Sequence, residues 1–429
     1  MSLEKFFHLK ENNTTVKTEI MAGVTSFMTM AYILAVNPNI LAAAGMDHGA
    51  VFTATAVASF IGTLCMALFA NYPFALAPGM GLNAYFAYTV VLGMGYSWEV
   101  ALAAVLTEGI IFIILSCFNI REAIFNAIPF NLKKAVSVGI GLFITFLGLQ
   151  NAKIVIGGAT LVGLFSVDGY NKTLADGLTA SMSDAGITVL LAIFGVLITG
   201  ILIVKNVKGN ILWGILITWI LGIICQFAGI YIPNPDLGFY NLLPDFSNGI
   251  SIPSLAPIMF KFSLKGVPVL EFIIIVFAFL FVDLFDTLGT LIGVSAKADM
   301  LDSEGRLPRI KGALLADAVG TTCGACLGTS TVTTFVESAS GVTEGGRTGL
   351  TSLTTGILFL LSLFLSPIFL AIPSFATAPA LIVVGFYMIG SVSEIDFNDP
   401  AEGIPAFLCI IAMPFFHSIS EFFKNVLMK

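Results

Sequence analysis

Thirteen apolar runs follow one another along this chain, most of them close to the twenty residues an α-helix needs to cross a bilayer. They lie near Ile20–Leu41, Val51–Ala70, Phe74–Met94, Val100–Phe118, Ala135–Leu149, Ile187–Val204 and Ile211–Ile230. After a long polar connection come Phe272–Val294, Ile310–Leu327, the half-apolar Thr329–Gly341, Leu350–Phe369, Ala376–Ile389 and Ile404–Phe416. Only 10% of the residues are charged, whereas a soluble domain carries about 25%. So few polar side chains cannot cover so many apolar faces in water. The pattern predicts an all-α polytopic membrane protein.

Orientation follows from the basic residues, which concentrate in cytoplasmic loops. With the N-terminus in the cytoplasm and the sides alternating, thirteen of the nineteen Lys and Arg fall on the cytoplasmic side. Lys153, Lys172, Lys261 and Lys265 fall opposite, and Lys424 and Lys429 lie in the tail. One missed span would spoil this bias, so it supports the span assignment and a cytoplasmic N-terminus together. Residues 1–17 are polar, with no apolar run beside a small-residue cleavage site, and no cleaved signal peptide is expected. The net charge of −7 says little, but the lack of a basic stripe argues against nucleic acid as a partner.

Two segments are unlike simple spans. In Pro73-Phe-Ala-Leu-Ala-Pro78-Gly79-Met80-Gly81-Leu-Asn83, two prolines and two glycines fall within nine residues and interrupt any helix. In Gly328-Thr-Ser-Thr-Val-Thr-Thr334-Phe-Val-Glu337-Ser-Ala-Ser-Gly341, the Thr and Val content favours extended backbone. Irregular backbone at membrane depth survives only where it is buried in protein or lines a cavity. The two segments hold the third position in each half of the chain. Matching interrupted segments are the mark of an inverted-repeat transporter whose site lies at the midplane.

Carboxylates inside a membrane are costly and face the protein interior or a watery cavity. Asp283 and Asp286 lie three apart on one predicted helix, with Thr287 and Thr290 extending a polar stripe. Glu337 sits in the second interrupted segment, and Asp317 and Glu108 lie in further spans. Asp286 and Glu337 are the strongest candidates to bind a solute. Asp283, Asp317 and Glu108 are better read as acids that satisfy the backbone or neighbouring side chains. An ionised carboxylate accepts hydrogen bonds only, which suits a ligand with adjacent N–H donors such as a purine or pyrimidine. A buried carboxyl can also carry a coupling proton. The interrupted segments contain no Lys or Arg that would suit an anionic substrate.

Enzymatic apparatus is not visible. Cys323-Gly-Ala-Cys326 has the spacing of a redox or metal motif, but no second pair or nearby His completes it. His8, His48 and His417 form no ligand pattern, and no GxSxG elbow occurs. No catalytic residue, metal site or cofactor is expected. Gly320, Gly324 and Gly328 form a double small-xxx-small pattern for close helix packing.

Four stretches together resemble one family. They are Thr18-Glu-Ile-Met-Ala-Gly-Val-Thr-Ser-Phe-Met-Thr-Met-Ala-Tyr-Ile-Leu-Ala-Val-Asn-Pro38, Ala75-Leu-Ala-Pro-Gly-Met-Gly-Leu-Asn-Ala-Tyr85, Phe285-Asp-Thr-Leu-Gly-Thr-Leu-Ile-Gly293 and Gly328–Gly349. The chain is similar, from about residue 4 to 418, to the AzgA-like purine permeases of the nucleobase:cation symporters, in the nucleobase–ascorbate transporter superfamily. The resemblance implies an inverted 7+7 repeat, with short strands in segments 3 and 10 meeting at the substrate. It implies a core domain of residues 20–118 and 266–370, a gate domain of 131–232 and 376–429, and a cytoplasmic N-terminus of 1–19. About thirteen of the fourteen segments are present. After Pro414 the family continues through one more span, which here is expected to be missing.

The substrate contacts it implies map onto Asp286 and Glu337, with Met80 and Asn83 from the third segment and Thr290 and Thr334 beside the acids. The proton-coupling candidates are Glu337, Asp286 and Asp283. Family members better known than this chain carry a His where Thr290 stands, so that residue's proton handling does not transfer. The expected function is import of a purine nucleobase by proton symport in the cell membrane through an elevator-like alternation, with a homodimer as the candidate assembly. Asp286-Thr-Leu-Gly-Thr290 leans towards hypoxanthine and guanine over adenine. A sulfate-like anion transporter on the same fold and an inactive, shortened permease are the alternatives.

Overall fold

The computed structural model describes residues 3–117, 130–157, 162–164, 186–233, 240–247, 249, 251–297, 300–301 and 307–416. Nine helices among them are long and apolar enough to cross a membrane. The chain is a multi-pass integral membrane protein. The expected missing segment after Pro414 falls on residues 417–429, outside the described residues.

Segment 1 is two helices, α1 (Val16–Met30) and α2 (Ile33–Ala43), separated by a break at Ala31–Tyr32. The Thr15 hydroxyl caps α1 by accepting from the Thr18 amide. Helix α3 (His48–Cys65) starts where the Asp47 carboxylate accepts from the Ala50 amide at 2.7 Å. Segment 3 opens as strand β1 (Leu76–Pro78), turns into α4 (Met80–Ala84) and continues as a wide π-helix to Gly93. Helices α5 (Trp98–Cys117) and α6 (Phe130–Asn151) follow, then a small hairpin of β2 (Val155–Gly157) and β3 (Val162–Leu164) that the apolar pattern did not forecast. Next are α7 (Ile187–Val204) and α8 (Asn210–Phe227).

The second half begins with α9 (Val269–Lys297) and α10 (Ile310–Leu327). Segment 10 is strand β4 (Val332–Thr334) followed by α11 (Ser338–Thr343). Helices α12 (Gly349–Leu361), α13 (Ser374–Ile389) and α14 (Pro400–Phe416) complete the described chain.

Strands β1 and β4 pair antiparallel deep in the protein, with Leu76 opposite Thr334 and Pro78 opposite Val332. Their outer edges would leave backbone groups unpaired, an expensive state away from water. A threonine closes each edge. Thr63 of α3 donates to the Leu76 carbonyl at 3.1 Å and accepts from the Leu76 amide at 2.9 Å. Thr321 of α10 does the same for Val332 at 3.0 and 3.2 Å. Each threonine follows a glycine, and a Cβ on Gly320 would stand 3.1 Å from the Gly62 Cα. Segments 2 and 9 therefore cross at two glycines and clamp the strand pair with two threonines, which makes the internal repeat visible at single residues.

The helices fall into two packed groups. In one, α10 lies against α3 and α5, and α12 against α1 and α3. In the other, α6 lies against α13 and α14, while α7 and α8 pack on α13. Glycines set the second group's spacing: a Cβ on Gly148 would press on Ile382 and Ala378, and one on Gly139 on Met413. Helices α7 and α8 lock by reciprocal notches, Gly195 beside Thr218 and Gly214 beside Thr199. Their opposite faces expose Leu190, Phe194, Leu197 and Ile201, and Ile220, Ile224 and Phe227. That helical spacing of large apolar side chains gives a lipid-facing stripe.

Candidate functional site

A cavity of about 600 Å³ opens between the two helix groups, within the size range of small-molecule sites. One wall comes from the interrupted segments and the middle of α9. Gly79 and Met80 enter where β1 turns into α4. Phe285, Asp286, Gly289 and Thr290 come from α9, and Thr333, Thr334, Phe335 and Glu337 from β4 and the turn into α11. Tyr32 reaches in from the break in segment 1. The facing wall is mostly apolar, with Ile140 and Ile144 of α6 and Val384 and Met388 of α13. At one end Lys134 and Glu394 line the cavity and form an ion pair at 2.7 Å.

Each carboxylate has one oxygen engaged by a neighbouring hydroxyl. Thr333 donates to Asp286 Oδ2 at 3.2 Å, and Tyr32 donates to Glu337 Oε1 at 2.6 Å. The backbone of Glu337 is gripped as well, since its carbonyl accepts from Ser340 at 2.6 Å and from Thr29 at 3.4 Å. Thr334 Oγ1 is buried with no hydrogen-bond partner among the described residues. The wall thus offers two acidic acceptors and a hydroxyl against an apolar face, an arrangement that can hold a flat, partly apolar molecule by its edge.

Of the residues expected at the site, Asp286, Glu337, Met80, Thr290 and Thr334 line this cavity. Asn83 does not. It is one helical turn beyond Met80, fully buried behind the strand pair, where it donates to the Pro78 carbonyl at 3.3 Å and accepts from Ser330. Asp283 also lies away from it. The polar stripe on α9 splits into two rows: Asp286 and Thr290 face the cavity, while Asp283 and Thr287 turn towards α10. There Thr287 Oγ1 lies 2.8 Å from Asp283 and 2.8 Å from Asp317. Glu108 accepts from Thr331 at 2.7 Å, next to β4. The three acids engage neighbouring side chains, the reading preferred for all of them from the sequence, and Asp283, also named as a proton-coupling candidate, lies away from the cavity.

Tyr32, Thr333 and the Lys134–Glu394 pair were not anticipated. Tyr32 stood among apolar residues in an ordinary-looking span, and only its place in the TMAYILAVNP stretch set it apart.

A sequence profile of the Permease family matches residues 17–424. The chain belongs to that family. The permease is 44% identical over 419 residues to the guanine/hypoxanthine permease PbuO of Bacillus subtilis, covering 96% of this chain and 90% of that one. It is 40% identical to the adenine permease AdeP of Escherichia coli, covering 98% and 88%. Among solved structures, the permease resembles the transmembrane domain of the cyanobacterial bicarbonate transporter BicA, with a TM-score of 0.68, 17% identity and coverage of 94% and 96%. At that identity the likeness is one of fold, the 7+7 arrangement expected of the chain. The permease is a transport protein rather than an enzyme.

Proposed function

We propose that this permease imports purine nucleobases, hypoxanthine and guanine ahead of adenine, in symport with protons. The observation that carries the reading is the shared cavity of Asp286 and Glu337, each with one oxygen engaged by the protein and the other left for a ligand's N–H group. A purine presents N–H donors along its edge and an apolar face to the α6–α13 wall. Two acidic acceptors, with Lys134 already paired to Glu394, do not suit an anion. Relatives named as guanine/hypoxanthine and adenine permeases support the substrate class, and the identities of 44% and 40% lean the same way as the Asp286–Thr290 motif.

In this reading residues 20–118 and 266–370 form the moving core, and 131–232 and 376–429 the gate. The cavity runs along the seam between them, as an elevator-like motion requires. With the N-terminus in the cytoplasm, Lys134 and Glu394 lie towards the cytoplasmic side of the cavity, and the Lys and Arg distribution supports that orientation in the cell membrane. Asp286 and Glu337 are then the residues that carry the coupling proton beside the substrate.

The test is uptake of labelled hypoxanthine by proteoliposomes under an imposed pH gradient, with adenine, guanine and xanthine as competitors. Accumulation driven by an acid exterior and abolished by a protonophore is expected, and Asp286→Asn and Glu337→Gln should each remove it. Wild-type rates in both variants, or sulfate uptake without purine uptake, would overturn the proposal.

A further inference from the structure

We infer that Tyr32 is a positioning residue that sets which oxygen of Glu337 meets the substrate, and so contributes to the choice among purines; this rests on the reading that Glu337 binds the base. The phenol hydroxyl owns one hydrogen and gives it to Glu337 Oε1 at 2.6 Å, a short distance typical of a hydroxyl–carboxylate bond. The bond commits that oxygen and leaves Oε2 as the acceptor for a ligand. A phenol does this without bringing a charge. A Lys or Arg at this point would neutralise the carboxylate and compete with the base's N–H groups for it.

Local structure holds the donor in place. Tyr32 is the residue at which segment 1 breaks. Its carbonyl accepts from the Ala35 and Val36 amides at 3.0 and 2.9 Å, which starts α2 directly behind it. One turn earlier, the Thr29 hydroxyl stands 2.8 Å from Ser340 Oγ and reaches the Glu337 carbonyl. Segment 1 therefore grips Glu337 by its side chain and its backbone together. The tyrosine is 1% exposed, so its hydroxyl is not competed for by bulk solvent. Both partners belong to the same packed group of helices, since α11 lies against α1. The bond should persist while the two groups slide past each other.

A double-mutant cycle in proteoliposomes tests this, using labelled hypoxanthine with adenine and guanine as competitors. Tyr32→Phe keeps the ring and removes the donor. It should raise KM about tenfold, the usual effect of losing a hydrogen bond to a charged group. It should also narrow the ratio between the inhibition constants of adenine and guanine, because an untethered Glu337 can present either oxygen. Because Glu337→Gln removes uptake, this arm is read as binding of labelled hypoxanthine to the detergent-solubilised protein, where Tyr32→Phe/Glu337→Gln should bind no more weakly than Glu337→Gln alone. A purely structural role would instead multiply the two effects and leave the selectivity ratio unchanged, and that result would overturn the inference. Wild-type kinetics in Tyr32→Phe would also overturn it. If Tyr32→Phe folds poorly, Thr29→Val loosens the same grip from its backbone side, and unchanged selectivity there would count against the inference equally. Absence of purine uptake by the wild type removes the functional reading, whereas uptake that is lost in Glu337→Gln but intact in Tyr32→Phe removes only this inference.

Discussion

Gly79 stands where β1 hands over to α4, and adding one methyl group there should damage binding as well as folding. Its backbone angles, φ −70° and ψ 129°, suit any L-residue, so alanine brings no backbone strain. Space is the constraint. A Cβ at residue 79 would stand 2.8 Å from Thr333 Oγ1, 3.2 Å from Thr333 Cγ2 and 3.4 Å from Asp286 Oδ2. The first contact is about 0.6 Å short of ordinary van der Waals distance. Thr333 is fixed by the pairing of β4 with β1, so its side chain must turn away, and the 3.2 Å bond it donates to Asp286 goes with it. Overpacking of this kind costs about 1–3 kcal/mol. A lost hydrogen bond to a charged group costs about 1.5–3 kcal/mol. The overpacking falls on the fold and should lower the unfolding midpoint in detergent, while the lost bond frees the Asp286 carboxylate that meets the ligand, so Gly79→Ala should raise KM for hypoxanthine roughly 10- to 100-fold. The double variant Gly79→Ala/Thr333→Ala removes the clashing atoms and leaves only the ordinary 3.4 Å contact. It should therefore transport as Thr333→Ala alone does. A wild-type KM in Gly79→Ala, or a double variant several-fold worse than Thr333→Ala, would refute this account.

Three further outcomes concern stability. The buried Glu19 carboxylate accepts from the amides of Arg347, Thr348 and Thr351 and from the Thr351 hydroxyl at the start of α12; Glu19→Gln should cost about 1–3 kcal/mol for each bond left unmade, seen as an earlier thermal transition with KM unchanged in the folded fraction. Gly320→Val should force apart α3 and α10 at their glycine crossing and sharply lower the yield of folded protein, measured by size-exclusion chromatography in detergent. Lys208→Ala breaks a half-exposed ion pair with Glu344 and should change stability by about 0–1 kcal/mol, a difference that melting curves in high salt should erase.

The interrupted segments were legible because proline, glycine and threonine announce them, and Asp286 and Glu337 because an acid in an apolar run needs a reason to be there. The meeting of two strands came from the family resemblance, which implies short strands in segments 3 and 10, and not from the positions of the interruptions. Other parts of the site carried no such signal. Ile140 and Ile144, like Val384 and Met388, are apolar residues four apart, a spacing shared by core-facing and lipid-facing helices. The break at Ala31–Tyr32 contains neither proline nor glycine, so the two helices of segment 1 read as one. Asn83 was expected at the site because the family's third-segment contact maps onto the Met80–Asn83 stretch, yet one turn of helix carries it away from the cavity to Ser330. Asp283 and Asp286 shared a face in projection, and only the position of α10 separates the row that binds Asp317 from the row that opens to the cavity.

The pairing of Leu76 with Thr334 also sets a timetable for the nascent chain. About 250 residues separate the two strands, and a ribosome working at roughly 5–20 residues per second needs on the order of ten to fifty seconds to make them. Throughout that interval β1 lacks the partner that closes its inner edge, and the threonine clamp from α3 covers only the other side. Bare backbone groups at membrane depth are too costly to leave standing for so long. The early half must therefore wait with segment 3 incompletely inserted, or sheltered by an insertion factor or chaperone, until residues 332–334 arrive. Separately expressed halves should recover transport only when both are present while the membrane is being populated.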